Sequence, residues 1–212
     1  MVKKIFSLVI VACFAMGAAA EGWGTLFLEW NPSVLKSKYD GHSYSESFNG
    51  LSLGYSRAFQ ITESTPLFVE PGIAAQYSFW KEDGVDFEDD YYYYEVEDTK
   101  LQVMSLKVPV NVIYRFDLQN SSIALMPFAG ITLRGNLWGQ AKAGKEKADI
   151  FSKDDMGSKD ATAKRFQVGW QVGFKAKFGP KFIVGGSYGT DFNDFMYKTK
   201  IQTATVMVGL IL

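Results

Sequence analysis

The chain has 212 residues, with 22 lysines and arginines against 23 aspartates and glutamates and one histidine, so its formal net charge is −1 at pH 7. A near-neutral chain without a basic run is not expected to bind nucleic acid, because phosphate binding requires clustered lysine and arginine. Aromatic residues make up 16% of the chain, and glycine occurs 20 times. This composition indicates a single β-rich domain that is poor in catalytic side chains.

The first twenty residues have the pattern of a secretory signal peptide. Lys3 and Lys4 precede an apolar run over residues 5–16, and three alanines end at Ala20. The pattern predicts cleavage after Ala20, with residues 1–20 as the signal peptide and residues 21–212 as one domain. Lipidation at Cys13 is a second interpretation, but it would leave an apolar segment shorter than the usual 7 to 15 or so residues.

Apolar residues then alternate with polar or small residues in eight segments. The clearest is RFQVGWQVGFKAKF at residues 165–178, where aromatic and aliphatic residues occupy every second position. Side chains alternate across a strand, so this period of two predicts a long β-strand with one apolar face. The eight predicted strands cover residues 23–30, 48–59, 67–80, 101–116, 123–137, 165–178, 182–192 and 201–212.

Long polar connections alternate with short ones along the chain. The long connections cover residues 31–47, 81–100, 138–164 and 193–200, and the short ones cover residues 60–66, 117–122 and 179–181. This arrangement predicts an all-β fold, an eight-stranded antiparallel up-and-down transmembrane β-barrel with short periplasmic turns and long extracellular loops. Glycine and serine on the polar face, aromatics near the strand ends and unusually long strands favour a membrane barrel over a soluble one. We therefore predict that the protein is located in the outer membrane of a Gram-negative cell envelope.

Charged residues also occur on the predicted inward face of the barrel. Two interpretations remain open for them: a water-lined, salt-bridged plug, or a pathway for ions or solutes. The predicted interior charges are Glu29, Glu70, Lys107, Arg115, Arg134, Lys175, Lys177 and Asp191.

The second long connection contains GVDFEDDYYYYEVEDTK at residues 84–100, and nine acids lie between Glu82 and Asp98. Tyrosine is favoured in binding surfaces, so Tyr91, Tyr92, Tyr93 and Tyr94 form a candidate interaction site for an extracellular protein or glycan. The alternative is a solvated strand extension that the acids keep soluble. The third long connection, residues 138–164, lacks an apolar period and is predicted to be mobile and solvated.

A catalytic site is the remaining alternative. His42, the single histidine, lies in GHSYSES with Ser43, Ser45 and Asp40 nearby, so a Ser/His/acid set for acyl transfer could form there. These residue types are also those of an ordinary polar loop. We expect no enzymatic activity, and we assign no catalytic, metal or cofactor-binding residue.

Two segments carry a family resemblance. SLKVPVNVIYRF at residues 105–116 and MPFAGITLRGNL at residues 126–137 resemble strands of the small porin-like outer-membrane β-barrel domains, which include PorT-type and OmpX-like proteins. The resemblance implies a barrel and an outer-membrane location, but no shared activity. One departure is the end of the chain at Leu212, where such barrels usually have an aromatic residue.

The predicted function is therefore a structural or surface-interaction role in the outer membrane. The expected partners are outer-membrane lipid, the barrel-assembly machinery and an extracellular protein or glycan at the loops, and we expect a monomer. Three alternatives remain open: a component of a secretion or envelope-assembly machine, a narrow pore, and a lipid A-modifying enzyme.

Overall fold

The structure, a computed structural model, describes residues 22–39, 42–82, 86–89, 92–95, 98–119, 121–158 and 161–212, with residues 38, 39, 42–44, 82, 86–89 and 92–95 described by their backbone alone. Strands dominate the described chain. They are β1 (Gly22–Trp30), β2 (Ser33–Tyr39), β3 (His42–Thr62), β4 (Thr65–Glu82), β5 (Asp86–Asp89), β6 (Tyr92–Glu95), β7 (Thr99–Tyr114), β8 (Phe116–Asp117), β9 (Ile123–Ala143), β10 (Glu146–Asp149), β11 (Phe166–Phe178), β12 (Phe182–Asp191) and β13 (Thr199–Ile211).

A short helix, α1 (Lys153–Met156), follows β10. The Ser152 side chain caps its first turn by accepting a hydrogen bond from the Asp155 amide, and Gly157 ends it in a left-handed conformation. Within the described residues, no helix has the length and apolar character needed to cross a membrane.

Eight antiparallel barrel strands form a closed ring. β1 and β2 act as one barrel strand interrupted at Asn31 and Pro32, and together they pair with β3 on one side and with β13 on the other. The remaining order around the ring is β3, β4, β7, β9, β11, β12 and β13, with β8 and β10 as additional strands on β9. The predicted eight-stranded up-and-down barrel is confirmed. We call its two ends the turn rim, which carries the short connections, and the loop rim, which carries the long ones.

The two faces of the barrel differ as the alternation predicts. On β1, Leu26, Leu28 and Trp30 are 43%, 50% and 51% exposed on the outer face, whereas Thr25 and Phe27 are buried inside. Exposed apolar side chains of this kind recur on the outside of every barrel strand. A continuous apolar outer wall matches lipid rather than water, because a bilayer removes the cost of exposing it.

Glycines on the inner face create space for large side chains in a narrow lumen. A Cβ atom at Gly54 would lie 2.6 Å from the Phe27 ring, and one at Gly173 would lie 2.5 Å from the Phe128 ring. Each glycine therefore accepts an aromatic ring from another strand against its backbone. This close approach explains why the inward face combines glycine with aromatic residues.

The long connections are more ordered than predicted. Residues 31–47 are largely a hairpin, because β2 pairs with β3 from Ser33 and Phe48 up to Tyr39 and His42. Residues 138–164 contain the end of β9, β10 and α1, and Ile150 and Ala163 are buried, so the prediction that this segment is solvated throughout is wrong, while its mobility stays a prediction. The strands continue beyond the membrane, where their outer face meets water instead of lipid, and polar residues then pair without the apolar alternation that marks a strand in a sequence.

The close glycine contacts lead to a stability prediction. Gly173→Ala should lower the free energy of unfolding by about 1–3 kcal/mol, because its methyl group would overlap both the Gly186 carbonyl oxygen and the Phe128 ring. Gly135→Ala is the matched control, since a Cβ there meets no atom within 4 Å. Urea unfolding of both variants in detergent micelles measures the difference. Equal stability of the two variants would show that the lumen is not tightly packed at Gly173.

Candidate functional site in the barrel interior and at the loop rim

Six charged side chains lie inside the barrel and form three ion pairs, which we call the polar belt. Lys107 contacts Glu29, Lys175 contacts Glu70, and an Arg134 nitrogen lies 3.6 Å from an Asp191 oxygen. The partners belong to strands two or three positions apart in the ring, so each pair joins non-adjacent parts of the wall through the lumen. All six are buried, and burial without a partner would cost each ion several kcal/mol.

Glu70 has the most extensive hydrogen bonding in the belt. Its carboxylate accepts hydrogen bonds from the Ser56 hydroxyl at 3.1 Å and the Asn111 amide at 3.2 Å, in addition to its contact with Lys175. The Asn111 oxygen in turn accepts a bond from Gln171 at 2.7 Å. The extra donors satisfy the lone pairs that one lysine leaves free, and this is the condition under which a buried ion pair is tolerated.

Neutral polar side chains continue the belt toward the loop rim. Asn31, at the break between β1 and β2, donates to the Ser52 hydroxyl at 2.7 Å and accepts from Thr205 at 2.9 Å. Asn136 accepts from Ser105 and donates to Gln167, each at 2.7 Å. Asn31 was predicted to lie in a loop, since the alternation stops at Trp30.

The Arg134–Asp191 pair is the loosest of the three. Arg134 Nε and Asp191 Oδ2 are buried without a hydrogen-bond partner, and both residues line a cavity of about 30 Å³. A second cavity of about 30 Å³ lies beside Glu70 and Lys175. Each cavity has room for a water molecule or two, which could bridge these polar groups.

Arg115 and Lys177 lie at the turn rim, apart from the other six predicted interior charges. Arg115 donates to the Asp117 carboxylate at 2.9 and 2.7 Å. Both cations also lie 5.8 Å from the centre of the Trp23 ring. The structure therefore places them around an aromatic side chain at the barrel entrance and does not join them to the polar belt.

An apolar cluster fills the lumen between the polar belt and the turn rim. We call it the turn-rim cluster, and its ten buried residues belong to seven strands of the ring. This cluster was not predicted from the sequence. The signs of it in the sequence were Phe27 on the inward face, and Phe68 and Ile113 at points where two apolar residues are adjacent. The members are Trp23, Phe27, Ala58, Phe68, Ala74, Ile113, Met126, Phe128, Ile183 and Met207.

A second apolar cluster covers the opposite end of the lumen. This loop-rim cluster joins inward side chains of the strands to residues from the connections after β9 and β12, and Arg165 stacks over one of its rings, Phe151, at 4.5 Å. The third long connection thus folds back over the barrel mouth. The buried members are Val103, Ile150, Ala163, Phe195 and Ile201, with Leu35, Phe48, Leu101, Ala141, Phe151, Met156 and Met196 packed against them.

The acidic tyrosine segment forms a separate hairpin above the loop rim. β5 and β6 pair with each other, from Asp86 opposite Glu95 to Asp89 opposite Tyr92, in a sheet of their own. Tyr91 lies outside the described residues, and Tyr92, Tyr93 and Tyr94 are described by their backbone alone. Its register is the same as that of β4 with β7, where Glu82 lies opposite Thr99, and the residues between the two ladders lie outside the described part of the chain.

His42 begins β3, where its backbone pairs with Tyr39. Its side chain and those of Ser43 and Asp40 lie outside the described part of the chain. The hypothesis of a Ser/His/acid set at this position stays a prediction.

Comparison with known proteins places this architecture among small outer-membrane barrels. Ail of Yersinia pestis is 14% identical, with 91% of this chain and 99% of Ail covered and a TM-score of 0.50. Neisserial surface protein A is 14% identical, with 88% and 96% covered and a TM-score of 0.41. The outer membrane enzyme PagL is 15% identical, with 84% and 97% covered and a TM-score of 0.43. No curated protein matches the chain.

The expectation that this chain has no enzymatic activity needs correction. It rested on a composition poor in catalytic side chains and on the ordinary polar-loop residues around His42, yet PagL, an outer membrane enzyme, is among the similar structures. The fold therefore does not decide for or against catalysis.

The sequence profile of the outer membrane protein beta-barrel domain matches residues 5–211, nearly the whole chain. This match agrees with the closed eight-stranded ring and its apolar outer wall. The specific resemblance to PorT-type proteins stays a prediction. The chain belongs to the family of outer membrane protein beta-barrel domains, and its place is the cell outer membrane.

Proposed function

We propose that this barrel is a surface-interaction protein whose working surface is the loop rim. The observation that carries the proposal is a lumen filled from rim to rim by the turn-rim cluster, the polar belt and the loop-rim cluster. Among the described residues, the cavities at the belt hold only a water molecule or two. Such an interior supports a rigid scaffold better than a pore.

The strands themselves extend the loop rim away from the membrane. β3 and β9 each have 21 residues, about ten more than the ~9 to 11 that a tilted strand needs to cross a bilayer. The additional length raises the connections on the order of 20 Å above the membrane. A barrel that only anchored itself in lipid would not need this projection.

The acidic tyrosine hairpin is the part of this surface best suited to a partner. Tyrosines provide large contact areas at low entropic cost, and the nine acids from Glu82 to Asp98 disfavour a polyanionic partner at the hairpin itself. The partner class that fits is a neutral glycan or a protein with a neutral or basic surface.

Replacement of Tyr91, Tyr92, Tyr93 and Tyr94 by serine tests this role. The variant should assemble normally, as judged by heat-modifiability in gel electrophoresis, and lose about tenfold or more of its affinity for the partner, because aromatic anchors dominate interface energies. Binding of cells that produce the protein to arrays of glycans and matrix proteins provides the measurement. The matched control replaces Tyr39, Tyr44 and Tyr197, which lie in other connections. Equal binding of wild type and variant, or loss in the control as well, would count against the hairpin as the site.

Electrical recordings separate the interaction role from the pore alternative. Wild-type protein in planar bilayers with molar potassium chloride should show no steady single-channel steps, because its lumen is filled along its length. A steady ohmic conductance would contradict the proposed scaffold and favour the pore.

The cross-lumen pairs make a stability prediction. Lys175→Met should lower the free energy of unfolding by about 3–5 kcal/mol, because it keeps the volume but leaves Glu70 buried without its counter-charge. Adding Glu70→Gln should recover much of the loss. The control is Arg115→Met at the turn rim, where exposed Asp117 limits the cost to about 1 kcal/mol. Urea titration in detergent measures the unfolding free energy of all three variants. If Lys175→Met lost no more stability than Arg115→Met, the ion pairs of the polar belt would not be shielded from water.

A further inference from the structure

Four lysines from four neighbouring strands lie side by side at the loop rim. Lys81 of β4 is in register with Lys100 of β7, Lys100 with Lys142 of β9, and Lys142 with Lys147 of β10. Adjacent strands are about 4.8 Å apart, so this lysine row spans about 14 Å. In sequence its members are distributed over three different segments.

The lysine row lies on the outer wall of the barrel. Leu101 and Ala141 pack inward against the loop-rim cluster, so their neighbours Lys100 and Lys142 point outward. On β4, Phe79 is 39% exposed on the outer face, and Lys81 follows two positions later on the same face. Lys147 shares that face because it is paired directly with Lys142.

The row lies just above the layer of lipid headgroups, within reach of its lysine side chains. Four positions below it, Tyr77, Met104 and Trp138 are in register with one another and 40–45% exposed, as in an interfacial girdle. Four residues of a tilted strand raise the row by about 10 Å. Each headgroup layer is about 5–8 Å thick beyond the hydrocarbon, and lysine side chains can reach down toward it.

The row carries more positive charge than its described neighbours neutralise. Lys81 lies 3.7 Å from Asp98. For Lys100, Lys142 and Lys147, no ion pair occurs within the described residues, and the nearby Asp149 pairs instead with Arg165 at 3.7 Å. Like charges directly opposite on adjacent strands destabilise a sheet, so a row of lysines is best explained by an external anion.

We propose that the lysine row binds the phosphate groups of a lipid in the outer leaflet, with the acyl chains of that lipid against the apolar wall below. Lysine binds phosphate as a point charge, and clustered lysines attract anionic lipid headgroups. A span of about 14 Å gives the row room for more than one phosphate group. Elsewhere on the rim, Lys36 and Lys200 form only a pair, and Lys200 donates to the Phe192 carbonyl. The binding is therefore expected on one side of the barrel.

The test compares lipid retention by folded protein purified from outer membranes. The probe is lipid A with two phosphates, and its comparison is the same lipid after phosphatase treatment. Native mass spectrometry should show wild type retaining the bisphosphorylated lipid, and Lys100→Gln, Lys142→Gln and Lys147→Gln together should weaken retention about tenfold or more. The matched control replaces Lys153, Lys164 and Lys181, three exposed lysines outside the row.

The outcomes separate the lipid from other sources of the same chemistry. Retention that depends on the phosphates and on the row, but not on the control lysines, supports the proposal. Equal retention by wild type and the row variant overturns it, as does full displacement by free pyrophosphate, which would indicate a site for a soluble anion. Heat-modifiability of each variant verifies folding. The inference concerns the lipid-facing wall and does not depend on the proposed role of the hairpin.

Discussion

Closure of the backbone ladder is the constraint on which the rest of this structure depends. In hydrocarbon an unpaired N–H or C=O group costs several kcal/mol, so every membrane-spanning strand needs a partner on both sides. Here the last strand, β13, pairs with β1 from Thr25 opposite Ile211 to Trp30 opposite Val206, and then with β2. The break at Asn31 and Pro32 is tolerated because β3 and β13 continue past it on both sides.

A ring of eight strands leaves a lumen that side chains must fill. Glycines at positions such as 54 and 173 let Phe27 and Phe128 enter it, and charges from non-adjacent strands meet inside it. The belt lies between two apolar clusters, so its ion pairs are shielded from bulk water at both ends. The interior of the barrel is therefore polar in its middle and apolar at both ends. The hydrophobic face of the sheet, which a soluble protein would bury in its core, points outward to the lipid.

Much of the candidate site followed from alternation, since a period of two assigns each residue to a face. Glu29 and Lys107 could be placed on the inward face without a structure, but not opposite each other, because alternation carries no information about height or about the strand across the lumen. The turn-rim cluster was missed for a related reason. Phe68 and Ile113 lie beside outward Val69 and Val112, and an apolar residue on each face removes the pattern that would identify the inner one.

The sequence by itself determined the number of barrel strands, the face of most side chains and the outer-membrane location, because these depend on local chemistry repeated along the chain. Only the tertiary structure decided which residues meet. Lys81, Lys100 and Lys142 become neighbours through the pairing of β4, β7 and β9, and a register shift between Met104 and Ser105 helps to align them. Register is set by turns, bulges and ring closure together, so a change of one residue would turn the same lysines to the opposite face.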